Sequence, residues 1–156
     1  MALTLNKLYH QELNDNFDAI AARFAMFQKA MSGDMVFKLS QATASPTAAA
    51  VAADDVVYNL TVRLEDAAGN LHDWYNGEVL LAISDDDSTG NATISPAGGE
   101  HKMTNGVLAF TVTLPKAVWT AGKVVTATVS DPATASTGIL GCAVPDVTFV
   151  ATIAAA

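Results

Sequence analysis

The residues of this chain that are best suited to chemistry form an acidic loop, DDDSTGN, over residues 85–91. Asp85, Asp87 and Gly90 have the spacing of the first half of a calcium-binding loop, in which carboxylate oxygens are the ligands. Pro96 stands where such a loop carries its bidentate glutamate, at the twelfth position. We therefore expect a solvated acidic turn here, with weak cation binding as the alternative.

The remaining candidates for catalysis or metal binding are isolated from one another in the sequence. His10, His72 and His101 lack the close spacing of zinc ligands. Cys142 is the only cysteine, so no intramolecular disulfide can form, and no His or Lys close to it in sequence would activate the thiol. Neither a Ser-His-Asp arrangement nor a Gly-rich phosphate loop is apparent. The sequence predicts no catalytic residue, no metal site and no cofactor.

Two adjacent aromatic residues, Trp74 and Tyr75, occur in the polar segment HDWYNG. Aromatic side chains that are exposed on loops are effective anchors for a ligand or a partner. The other interpretation is that Trp74 closes one open end of a hydrophobic core, and Trp119 in AVWTAG allows the same two interpretations. Trp74 and Tyr75 therefore form a possible surface-binding loop.

Composition excludes several classes of function. The chain of 156 residues has a net charge of −8 and an isoelectric point near 4.5, which disfavours binding to nucleic acid. No apolar run approaches the roughly 18 residues that a membrane span needs. The first residues do not resemble a secretion signal, so we expect synthesis in the cytoplasm without export.

The elements that would position these residues begin with a helix. Gly and Pro are absent from residue 4 to residue 31, and Ser32-Gly33 is a suitable stop. Large apolar residues occupy the a and d positions of a heptad repeat: Leu13, Phe17, Ile20, Phe24, Phe27 and Met31. Such a narrow stripe favours packing on copies of itself or on a partner, although packing on the chain's own sheets is the alternative. Phenylalanine at successive a positions needs room, which favours a homotrimer.

From Met35 onward the apolar period changes from helical to alternating. In YNLTVRLED, apolar residues from Tyr58 to Leu64 alternate with polar ones, as in a strand that is buried on one face. About seven such short segments, separated by turns, predict a mainly β fold, an immunoglobulin-like sandwich held by packing alone. We therefore assign residues 1–33 to an oligomerisation or anchoring helix and residues 34–156 to the sandwich.

Four segments of the predicted sandwich resemble bacterial immunoglobulin-like domains of the invasin and intimin group. VRLEDAAGN, residues 62–70, resembles the V-x-L-x-D-x-x-G-N signature of that group. ATISP, TNGVLAFTVTL and GKVVTATV follow in the order and spacing of the corresponding strands. The resemblance implies the same fold, and it implies as one possible function a carbohydrate- or cell-surface-binding module of an adhesin.

The N-terminal helix has a separate resemblance. ELNDNFDAI, residues 12–20, is similar to the L-N-x-N-F-x-x-I helix near the start of many phage tail-fibre and head-fibre proteins. It implies a structural virion protein that is made in the host cytoplasm and displays the sandwich on the particle. The implied partners are further copies of the chain and a capsid, connector or fibre protein, with a host-surface glycan as a possible ligand of the outer loops.

Overall fold

The computed structural model of the protein describes residues 11, 13–25, 35–88, 91–132 and 144–156. Helix α1 comprises the helical residues 13–25, and helix α2 spans Ala48–Ala53. Within these residues, nine strands follow α1: β1 Met35–Leu39, β2 Thr43–Ala44, β3 Val56–Asp66, β4 Glu78–Asp85, β5 Thr93–Ser95, β6 Gly99–Lys102, β7 Val107–Leu114, β8 Val124–Ser130 and β9 Val147–Thr152. Phe27, Met31, His10, Cys142 and the predicted boundary at residue 33 lie outside the described residues.

The nine strands form the two sheets of an immunoglobulin-like β-sandwich, as the sequence predicts. One sheet has the order β1-β3-β7-β5, and the other has the order β2-β9-β8-β4-β6. All pairs are antiparallel except β2 with β9, which run parallel. The segment MVFKLSQATAS therefore contributes to both sheets, since β1 belongs to one sheet and β2 to the other.

The alternating residues of the strands meet between the two sheets. On β3, Leu60, Val62 and Leu64 are buried, and β8 contributes Val125, Ala127 and Val129 from the other sheet. In antibody domains a disulfide joins the two strands that correspond to β3 and β8. In this chain aliphatic side chains fill that space. The ring of Phe149 on β9 lies 5.0 Å from that of Tyr58 on β3, so this pair connects the sheets directly.

Helix α2 is an element that the strand pattern does not predict. Its sequence AAAVAA lacks a polar face, but alanine has the highest helix propensity of all residues. Thr47 caps the first turn, with its Oγ1 accepting a hydrogen bond from the Ala50 amide at 3.2 Å. Val51 is fully buried and fixes the helix to the core. The expectation of a purely β domain after residue 35 is corrected by this one short helix.

Strand β6, in the segment AGGEHK, is a second element that the alternating pattern does not predict. Residues 99–102 pair with β4, and Glu78 lies opposite Lys102. The segment is an edge strand whose alternate residues are exposed, so it needs no apolar residues to form. Hydrophobic alternation, the signal on which the sequence analysis depends, is absent from such a strand.

Trp119 occupies the connection between β7 and β8 and closes the core there. Its side chain is buried, and its indole Nε1 donates a hydrogen bond to the Pro115 carbonyl at 3.1 Å. Of the two interpretations that the sequence allowed, the structure supports the core residue. None of the helical segments in the described part of the chain combines the length and apolarity needed to cross a bilayer.

We expect Trp119→Phe to lower the free energy of unfolding by about 1–2 kcal/mol, because the variant loses a buried hydrogen bond and leaves a small cavity. Urea denaturation followed by circular dichroism measures the change. Trp74→Phe is the matched control, since Trp74 is partly exposed, and its cost should be about 0.5 kcal/mol. Equal costs for the two variants would contradict the assignment of Trp119 to the core.

Candidate assembly and binding surfaces

The apolar stripe of helix α1 is exposed in the structure. The exposed fractions are 47% for Leu13, 60% for Phe17, 58% for Ile20 and 62% for Phe24. Steps of four, three and four residues place these side chains within an arc of about 60° around the helix axis. The described residues of α1 therefore present large apolar side chains to the surroundings of the chain instead of burying them in its own sandwich.

The residues beside the stripe are mostly uncharged. Asn14 and Ala21 flank it on one side and Asn16 and Arg23 on the other, and all described residues of α1 are exposed. Asp15 and Asp18 lie on the opposite side of the helix, where their charges would face water in a bundle. The helix thus has an apolar side and a polar side, as a bundle-forming helix requires.

The acidic loop at the end of β4 is held to the rest of the fold by hydrogen bonds to its three aspartate carboxylates. Asp85 Oδ2 accepts a hydrogen bond from the Ala92 amide at 2.9 Å, and Asp86 Oδ1 accepts one from the Val124 amide at 2.6 Å. Asp87 is only 4% exposed, and its Oδ2 accepts from the Thr120 amide at 2.7 Å.

These three bonds tie the loop to the amides of residues 92, 120 and 124. The expectation of a solvated turn is therefore corrected for Asp87, which is buried, whereas Asp86 is exposed. Gly90 lies outside the described residues. Within the described ranges, no group of three His, Cys, Asp or Glu side chains has the arrangement of a metal site.

The segment VRLEDAAGN ends in a turn that is organised by a buried carboxylate. Asp66 Oδ1 accepts hydrogen bonds from the amides of Ala68 and Asn70, each at 2.9 Å, and Oδ2 accepts from Asn70 Nδ2 at 3.0 Å. Gly69 has a φ of +87°, which glycine adopts without strain. The aspartate, glycine and asparagine of this motif therefore have a turn-forming role.

The loop from His72 to Gly77 separates the two aromatic residues that were predicted as surface anchors. Tyr75 is 5% exposed, and its hydroxyl donates a hydrogen bond to the Glu78 carbonyl at 2.9 Å. The expectation of a surface contact therefore does not hold for Tyr75, which belongs to the core. Trp74 is 38% exposed, so it keeps a surface that a ligand could contact.

Several contacts fix the position of the exposed indole. Trp74 Nε1 donates a hydrogen bond to His72 Nδ1 at 3.1 Å, and the two rings meet edge to face at 5.5 Å. The ring of Tyr75 meets the indole edge to face at 6.0 Å. His72 Nδ1 is therefore the acceptor of this hydrogen bond.

The loop is also held against the turn that precedes β7. Gly106 donates its amide to the Tyr75 carbonyl at 2.7 Å, and a Cβ at position 106 would lie 2.4 Å from the His72 carbonyl oxygen. Asn76 Oδ1 accepts from the Asn105 amide at 3.0 Å, and Asn76 Nδ2 donates to the Trp74 carbonyl at 3.1 Å. Asn76 was not predicted as a site residue. The only sequence signal for it is the turn-forming pair Asn76-Gly77.

A shallow depression of about 220 Å³ begins at this asparagine. It is lined by Asn76, Gly77, Glu78 and Lys102. The depression therefore brings Asn76 of this loop together with two charged residues, Glu78 of β4 and Lys102 of β6. His101 does not line the depression, and its Nε2 is hydrogen-bonded to the Ala97 carbonyl.

Burial raises the pKa of the Tyr75 phenol well above its usual value, and the carboxylates of Asp131 and Glu78 add to the rise. The unfolded chain releases this proton near pH 10, whereas the folded chain retains it, so stability is present below pH 10 and is lost as the pH rises further. Urea midpoints between pH 8 and pH 11.5 should fall more steeply for the native chain than for Tyr75→Phe. Tyr58→Phe should change the slope less, because Tyr58 is less buried. An unchanged slope for Tyr75→Phe would count against this role.

Comparisons with known proteins do not assign the chain to a family. No protein-family model matches the sequence, and no curated protein matches it. Similar solved structures include the MSP family member WR4 of Caenorhabditis elegans, with 9% identity, a TM-score of 0.42, and coverage of 76% of this chain and 98% of that one. The MSP-domain-like protein SSP-19 of the same nematode has 16% identity, a TM-score of 0.38, and coverage of 74% and 94%. The cupredoxin domain of amoB from Nitrosocaldus yellowstonii has 12% identity, a TM-score of 0.31, and coverage of 76% and 84%.

Proposed function

We propose that this chain is a structural protein that assembles through helix α1 and displays the immunoglobulin-like sandwich. The observation that carries the proposal is the exposure of Leu13, Phe17, Ile20 and Phe24 on one side of the helix. Monomeric proteins do not gain from a continuous apolar stripe in water, whereas an assembling protein buries it. The occupant that we infer is a second and a third copy of α1.

The size of the apolar stripe sets the strength of this association. Full burial of a large apolar side chain contributes about 1.5–3 kcal/mol, and these four are roughly half exposed, so about 3–6 kcal/mol per chain remains to be gained. Association costs about 4–15 kcal/mol in lost freedom. Because gain and cost are of similar size, assembly will depend on concentration and will be favoured where many copies are held together.

Three copies fit the apolar stripe better than two. Phe17 and Phe24 occupy successive a positions, and a phenyl ring at the a position needs more room than the centre of a two-stranded coiled coil provides. Three of the four residues beside the described stripe, Asn14, Asn16 and Ala21, are small or neutral, and Arg23 is the charged one. We therefore propose a parallel homotrimer with one sandwich per chain.

We further propose that the assembly belongs to a virion, as a head decoration or fibre-type protein. The similarity of residues 12–20 to the N-terminal helix of phage fibre proteins supports this assignment. Such a protein is made in the host cytoplasm and needs no catalytic residue, which agrees with the absence of a catalytic pattern in the sequence. The helices would bind to a capsid, connector or fibre protein of the particle.

Sedimentation velocity of the full chain between about 1 and 500 µM tests the assembly. We expect the mass to rise with concentration from the single-chain value of 16.2 kDa to three times that value. A mass that stays at 16.2 kDa over the whole range would reject self-association. A stable dimer would retain the assembly role and reject the trimer. Electron microscopy of particles that carry a tagged copy would then test the virion location.

A further inference from the structure

We propose that Trp74 and the depression that begins at Asn76 form a carbohydrate site that takes one neutral pyranose ring of a surface glycan. The site lies in the loop between β3 and β4 and at the adjoining ends of β4 and β6, and none of its residues belongs to α1. The inference therefore goes beyond the assembly function and does not depend on it.

The first requirement of such a site is an aromatic face that is available and rigid. Trp74 retains 38% of its surface, while its Nε1 is bonded to His72 and its ring meets two others edge to face. The indole therefore loses little conformational freedom when a ligand binds, and preorganisation of this kind raises affinity. A merely exposed tryptophan would instead have to be ordered at the moment of binding.

The second requirement is a set of polar groups close to the indole. The Asn76 amide is bonded at both ends to backbone groups, one of them the Trp74 carbonyl, so the depression begins next to the backbone of Trp74. Glu78 and Lys102 lie opposite each other on β4 and β6 and line the same depression. Together they supply an acceptor and a donor of opposite charge.

These two features select the chemical class of the ligand. A pyranose has an apolar face of C–H groups and a rim of hydroxyls that both donate and accept, so it matches an indole face beside a carboxylate and an ammonium group. The two charges cancel, and Asp73 lies close in the sequence, so an anionic sugar gains nothing here. At about 220 Å³ the depression is smaller than the 300–1,000 Å³ typical of buried ligand pockets, which limits the site to one ring bound at the surface.

The test uses the full chain and the methyl glycosides of glucose, galactose, mannose and N-acetylglucosamine. Titration to about 50 mM is followed by the NMR signals of the two indole N–H groups. We expect at least one glycoside to shift the Trp74 signal with a Kd on the order of millimolar and to leave the buried Trp119 signal unchanged. No shift of Trp74 with any of the four sugars would overturn the proposal.

Variants separate a site at Trp74 from weak binding elsewhere. Trp74→Ala should weaken binding at least tenfold, and Trp74→Phe, which keeps an aromatic ring and should fold normally, should weaken it several-fold. Val57→Ala, at an exposed apolar residue of β3, is the matched control and should bind as the native chain does. Equal binding by the native chain and both Trp74 variants would overturn the proposal, as would tighter binding of an acidic sugar than of any neutral one.

The assembly proposal can fail without affecting this one. A variant that is monomeric because α1 is altered should bind a single glycoside with unchanged Kd. It should lose only the additional strength that a trimer shows toward a surface with many glycans.

Discussion

We expect the replacement of both Phe17 and Phe24 by aspartate to convert the proposed trimer into 16.2 kDa single chains and to leave the sandwich folded. The two substitutions remove the largest apolar side chains of the described stripe and place carboxylates where three helices would meet. A buried charge without a partner costs several kcal/mol, and each trimer would hold six of them. This cost exceeds the remaining gain from burial, so we expect association to weaken at least a hundredfold. Sedimentation velocity measures the loss.

The matched control places the same two charges on the other side of the helix. Ala22 and Ala25 are exposed residues of α1 that lie away from the apolar stripe, so Ala22→Asp with Ala25→Asp should leave the trimer intact. Circular dichroism should show the same strand signal for both variants. If the Phe17 and Phe24 variant assembled as the native chain does, the apolar stripe would not be the assembly surface.

The second large effect concerns Asp66, the carboxylate that organises the turn after β3. Asp66→Ala removes the acceptor of three hydrogen bonds and leaves the amides of Ala68 and Asn70 without that partner. Hydrogen bonds to charged groups contribute about 1.5–3 kcal/mol each, but bonds to one carboxylate are not additive, and water can reach part of the turn. We therefore expect a loss of about 3 kcal/mol in the free energy of unfolding, which corresponds to roughly 10 °C in Tm.

Two further variants show whether the hydrogen bonds are responsible for that loss. Asp66→Asn keeps one acceptor oxygen and should cost about half as much. Asp73→Ala removes an exposed carboxylate a few residues away and should change stability by less than about 0.5 kcal/mol. If Asp66→Ala were no more costly than Asp73→Ala, the turn would not depend on the carboxylate. Thermal melts and urea titrations of the four proteins suffice for the comparison.

The parts of the fold that could be predicted are those in which burial of one face requires apolar residues at regular intervals in the sequence. Leu60, Val62 and Leu64 alternate because one face of β3 is buried, and their strand was expected for that reason. The stripe of α1 was expected from its heptad spacing in the same way. Strand β6 and helix α2 escaped prediction because an exposed edge strand and a short alanine helix carry no such period.

The surroundings of the acidic loop could not be predicted, since its partners are distant in sequence. Asp86 bonds to an amide 38 residues away, and Asp87 bonds to one 33 residues away. A local pattern of aspartates is equally compatible with metal binding, solvation and such long-range braces, and only the tertiary fold distinguishes them. The different positions of Trp74 and Tyr75 could not be predicted for the same reason. The two aromatic residues are adjacent in the sequence, but Trp74 is exposed and Tyr75 is buried in the core.

The edge strands of the two sheets have a consequence for the proposed assembly of many copies. Among the described residues, three of the four edge strands are very short: β2 has two residues, β5 has three and β6 has four. Edge-to-edge aggregation is favoured by a long, flat edge strand whose unpaired backbone groups can pair with another chain. Strands of two to four residues present few such groups. Crowded sandwiches would therefore remain separate, and the helix would be free to determine how the copies are joined.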